Sequence, residues 1–108
     1  MANAYKILGQ AVPNTSSDLI TVAASHSAVI STLVVANTTT SAATFRVHAR
    51  IAGATTATSN ALVYDATCLG NTTMTLTLGI TLAATDVLTV VSGTGSSLTF
   101  TAFGSDVT

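Results

Sequence analysis

The chain has no Glu, no Trp, one Pro (Pro13) and one Cys (Cys68). Charged residues make up 6% of its 108 positions, against roughly 25% in an ordinary globular protein. Each shortage excludes something. A lone cysteine excludes an internal disulfide framework. Three cations, Lys6, Arg46 and Arg50, are too few for the electrostatic footprint of a nucleic-acid binder. Mean hydropathy is high at +0.63, yet no apolar run approaches the roughly 20 residues a membrane helix needs. The opening residues lack a basic stretch followed by an apolar one, so no secretory signal is expected. Disorder needs low hydrophobicity and high net charge, whereas this chain is 48% hydrophobic with a formal charge of -1.

Four residue types dominate: 22 Thr, 18 Ala, 11 Ser and 11 Val. Thr and Val suit a pleated, half-buried surface, and alternation of period 2 runs through the chain. From Met74 to Leu82, Met74, Leu76, Leu78, Ile80 and Leu82 fall on one side, with Thr75, Thr77, Gly79 and Thr81 on the other. Further strands are predicted at 4–9, 19–23, 28–36, 44–52, 61–65, 87–92 and 98–103. The last two read as a hairpin across Gly93-Thr94-Gly95-Ser96. Residues 28–36 carry apolar side chains on both parities and are expected to be covered on both faces. About eight short antiparallel strands at this spacing predict an all-β chain, one β-sandwich domain over 1–108 of jelly-roll or immunoglobulin-like type. Met74, Leu76, Leu78, Ile80, Phe45, Val47, Val34 and Phe100 are its expected core.

Signals for chemistry are weak. There is no G-x-S-x-G elbow. His26, His48 and Cys68 lie about 20 residues apart, without the short-range pairing of a metal site. Neither a catalytic, a metal nor a cofactor site is expected. His26 reads as a plain surface residue, and Asp18 and Asp86 as turn stabilisers ahead of strands. Asn14, Asn37 and Asn71 head N-x-S/T triplets, which so much Ser and Thr produces by chance. The one concentration of charge is Arg46, His48 and Arg50, which alternation places on a single strand face, opposite Phe45, Val47, Ala49 and Ile51. That stripe is the candidate contact surface. Thr75-Leu76-Thr77 and Thr99-Phe100-Thr101 raise an ice-binding reading, and Tyr5 and Tyr64 a glycan-binding one. Scarce charge leaves sheet edges poorly protected and a free monomer poorly soluble, which favours burial of the exterior against other copies.

Several segments carry a resemblance: Tyr5-Lys6-Ile7-Leu8-Gly9-Gln10, Leu19-Ile20-Thr21-Val22, Ser31 to Asn37, Thr44-Phe45-Arg46-Val47, Leu78 to Leu88, and Phe103-Gly104-Ser105-Asp106. Over nearly its whole length the chain resembles small virion structural proteins of tailed bacteriophages, including cyanophages. The resemblance implies a β-sandwich subunit made in the host cytoplasm and built into the virion by symmetric oligomerisation. It further implies a capsid decoration (cement) protein, a homotrimer on the major capsid protein, with a tail, neck or fibre position as the alternative. Partners would then be the chain itself and another virion protein, with no nucleic acid and no membrane. Tyr5 and Lys6, in the first of these segments, join Arg46, His48 and Arg50 as candidate interface residues.

Overall fold

A computed structural model describes residues 3–108, and all their regular structure is strand or short 3-10 turn. The strands are β1 (Asn3–Ala11), β2 (Ser16–Thr21), β3 (Ser27–Asn37), β4 (Ala43–Arg50), β5 (Ala61–Cys68), β6 (Thr73–Leu76), β7 (Ile80–Leu82), β8 (Val87–Ser92) and β9 (Leu98–Val107). One sheet runs β1-β9-β3-β6, with β7 also on β3; the other runs β2-β8-β4-β5. Every pairing is antiparallel.

The order has a simple origin. β4 pairs β5, β3 pairs β6 and β7, β2 pairs β8, and β1 pairs β9, which is one long folded-back ribbon. Rolling that ribbon adds the pairs β3 with β9 and β4 with β8, and deals its arms alternately into two sheets. With β6 and β7 taken as one interrupted strand, the topology is an eight-stranded jelly roll.

The two sheets share one core. Leu33, Val35, Val47, Leu88, Val90, Leu98, Phe100 and Ala102 are completely buried. Phe45 of one sheet meets Phe100 of the other edge to face, with centroids 5.9 Å apart, a favoured aromatic geometry. β9 lies between β1 and β3, and both neighbours carry a bulge at its middle, shifting register between Ile7 and Gly9 and between Ile30 and Thr32. Gly104 sits beside this irregularity, where a Cβ would collide with the Val29 carbonyl oxygen.

The all-β sandwich matches the sequence reading; several details do not. The expected strand over 74–82 is broken at 77–79, where Gly79 takes φ +65° and leaves Leu78 46% exposed rather than in the core. Val35, not Val34, points inward, and the outer face of β3 stays open, with Val29 40% exposed. Both of its parities are apolar, so composition does not choose between them. Ile51 leaves the strand in a 3-10 turn (Ile51–Gly53) and is 79% exposed. The expected hairpin over 87–103 does not form: β8 and β9 belong to different sheets, and the 3-10 turn Gly95–Ser97 is the corner between them. Period 2 reports the faces of a strand but not its neighbours. β2 begins at Ser16, ahead of the strand expected at 19–23, which puts Asp18 within a strand. Asn37 is buried: its amide nitrogen donates to Ser41 and Cys68 carbonyls, and its oxygen accepts from the Thr39 amide and hydroxyl.

Two outcomes follow for stability. Leu33→Ala should lower the unfolding free energy by about 2–5 kcal/mol, while Leu78→Ala changes it by less than about 1 kcal/mol. Urea midpoints of the two variants check the broken strand. In the loop before β8, Thr85 holds φ +68°, a costly conformation for a β-branched residue, so Thr85→Gly should raise the thermal midpoint.

Candidate interaction surfaces

The rolled ribbon makes two unlike outer faces. On the four-stranded sheet, Arg46, His48 and Arg50 alternate with the buried Phe45 and Val47, so the stripe lies on one face as its spacing predicts. Each member already has partners within the chain. Arg50 donates to the Ala54 carbonyl (2.6 Å), the Gly53 carbonyl (3.1 Å), Asp18 Oδ1 (3.0 Å) and Thr89 Oγ1 (3.0 Å). Thr89 Oγ1 also donates to Asp18 Oδ1, at 2.9 Å. The guanidinium fork therefore ties β4 to β8, to β2 and to the turn after β4. Asp18 serves here as an acceptor between strands, not as the turn stabiliser expected of it. Asp86 does hold turns, accepting from the Ala52 and Ala83 amides at 2.9 Å each.

His48 is 3% exposed, covered by the segment that joins β4 to β5. Its Nδ1 lies 3.1 Å from the Ala57 carbonyl and 2.8 Å from Asn60 Oδ1, and both partners accept. Asn60 is oriented independently, its oxygen accepting from the Ala57 amide and its nitrogen donating to the Thr55 carbonyl. Nδ1 of His48 therefore carries the proton and pins this loop to the sheet.

Arg46 is the most open member of the stripe, its side chain 37% exposed against 18% for Arg50. Its Nε and Nη2 grip Asp65 at 2.7 and 3.1 Å, and its guanidinium lies 4.0 Å from the ring centroid of Tyr64, a cation–π stack. The hydrogen bonds from Arg46 hold the Asp65 carboxyl below its usual range, and Asp65 in turn raises the guanidinium. Arg46, Tyr64, His48, Ser16, Thr56 and Thr58 line a shallow groove of about 430 Å³.

At one end of the sandwich, Asp106 Oδ1 lies 3.0 Å from His26 Nδ1 and Asp106 Oδ2 lies 3.9 Å from Lys6 Nζ. These groups rim a cleft of about 160 Å³ floored by Leu8, Ile20, Val22 and Ala28. His26, a plain surface residue on the sequence reading, has a partner 80 positions away that no local pattern announces. Among the described residues, no group of three or more His, Cys, Asp or Glu is placed to hold a metal ion.

The outer face of the five-stranded sheet is the opposite in character. Its rungs read Tyr5–Ser105–Val29–Thr81, Ile7–Phe103–Thr32, Gln10–Thr101–Val34–Thr75 and Thr99–Ala36–Thr73. None of these residues is charged. Tyr5 is 81% exposed and Ile7 54%, with Phe103 and Val29 near 40%. Lys6 and Asp106 fall on the other parity, and the remaining five charged residues lie outside this sheet. The Thr-x-Thr arrays do not lie flat: Thr77 falls in the break between β6 and β7, and Thr101 is buried beneath Gln10, whose amide donates to its hydroxyl.

Comparison with family models, with curated proteins and with solved structures gives no match.

The two arginines should separate on substitution. Arg50→Ala, which removes the ties to Asp18 and Thr89 and frees the turn, should cost about 1.5–3 kcal/mol, with little recovered by Arg50→Lys because an ammonium lacks the planar fork. Arg46→Ala should move the unfolding midpoint far less, as loss of an exposed ion pair does. The folded-state value for Asp65 is depressed, so its contribution is present above the ordinary carboxylate range and fades as pH falls through that lowered value. The midpoint gap between the wild type and Asp65→Asn should therefore close in acid, and thermal scans from neutral to acidic pH check it.

Proposed function

We propose that the chain is a non-enzymatic virion structural protein of a tailed bacteriophage, a capsid decoration protein. In this reading it sits on the outer shell as a homotrimer and clamps neighbouring major capsid protein subunits. The observation that carries the reading is the uncharged outer face of the five-stranded sheet, with Tyr5, Ile7, Val29 and Phe103 open to solvent. A contiguous apolar patch of this kind marks an interaction surface. The resemblance of the N-terminal and C-terminal segments to small virion proteins supports the same assignment. So does the jelly roll, an architecture that viral capsid proteins use, although it also serves lectins and enzymes. The mechanism is linkage: a subunit that binds the intact shell and not its separated parts stabilises the shell in proportion to its occupancy.

A tail, neck or fibre position with a host-binding role is the second reading. The groove beside Tyr64 favours it, because a half-exposed aromatic ring next to a guanidinium and threonine hydroxyls can receive a sugar ring. Peptide-based counting of the chain in purified particles separates the two. Hundreds of copies per particle support the shell, and a few dozen or fewer support the tail. Purified particles that lack the chain would reject both.

A further inference from the structure

We infer that the uncharged outer face of the five-stranded sheet is covered by a second copy of this chain, so that the protein self-associates through Tyr5, Ile7, Val29 and Phe103. The inference rests on the assembly reading above for its setting and names the partner of this face.

Three observations identify the occupant as a copy. The first is electrostatic. A partner surface bearing charges would have to bury them against a face with no counter-ion, at a heavy desolvation penalty. A copy of the same face brings no charge. The second is hydrogen bonding. The Thr hydroxyls at Thr32, Thr75, Thr81 and Thr99 both donate and accept, so the rows are compatible with themselves. The third is size. Four strand positions about 4.8 Å apart and about nine residues long span roughly 19 by 30 Å, on the order of 600 Å² in projection. That lies at the lower end of the roughly 600–1,000 Å² per partner of a standard stable interface.

Sedimentation velocity on the isolated full chain, at concentrations from about 1 to 100 μM, reads the association directly. The wild type is expected to sediment as a discrete oligomer. Ile7→Lys and Phe103→Lys each place an unpaired ammonium in the contact and should weaken association by about a hundredfold or more. Thr75→Lys alters an exposed polar position of the same face, so it tests the face even if an apolar substitution disturbs folding. Leu62→Lys, on the edge strand of the other sheet, should leave association unchanged. A wild type that stays monomeric at the highest concentration overturns the inference. So does an oligomer that survives Thr75→Lys and both apolar substitutions, or one that Leu62→Lys dissolves instead. Copy counting in particles is independent of these outcomes. A chain found only in tails would remove the shell reading and leave self-association standing, whereas a monomeric chain found on shells would do the reverse.

Discussion

The structure depends on the place of β9 between β1 and β3. Residues 98–107 pair on one side with residues 3–11 and on the other with residues 27–37. The five-stranded sheet is not complete until these distant segments meet. Such contacts carry the loop-closure entropy of non-local topologies and make for slow folding. The bulges in β1 and β3 at the same height, and the Gly104 that lets the Val29 carbonyl approach, adapt both neighbours to this central strand. Phe100 then reaches Phe45 across the sandwich, so the strand that completes one sheet also fixes its packing on the other.

The few charges have been gathered where the fold needs ties. Arg50 joins three strands and a turn, His48 holds down the segment after β4, and Asp86 closes the turns around it. In a chain dominated by Thr, Ser, Ala and Val, which offer no long-reaching donors, one guanidinium fork replaces several short contacts. Concentrating charge on one sheet leaves the outer face of the other bare, and that asymmetry gives the molecule two unlike faces. A neutral, partly apolar face is a liability for a monomer of low net charge and an asset for a subunit.

Engagement within the chain also changes the meaning of the Arg46, His48 and Arg50 stripe. Its alternation is visible in the sequence, but whether a cation faces a partner or its own chain depends on what comes to lie beside it. Asp18 and Thr89 reach Arg50 from β2 and β8, and Asn60 reaches His48 from the loop above. Arg46, stacked on Tyr64, keeps the most open position of the three.

Composition and period 2 by themselves determined an all-β sandwich, the inward set of Phe45, Val47, Ile80 and Phe100, and the shared face of the charged stripe. These properties are local, because a strand alternates its side chains whatever lies next to it. Three things were decided only by tertiary structure. The partner of each strand was one, since the glycine-rich segment after β8 could close a hairpin or turn a corner, and the rolled ribbon makes it a corner. The buried parity of β3 was another: apolar residues occupy both, and the bulge opposite β9 sets which of Val34 and Val35 faces the core. The last was the joining of His26 to Asp106 and of Arg50 to Asp18, pairs separated by 80 and 32 positions, which only the closing of the sandwich brings within reach.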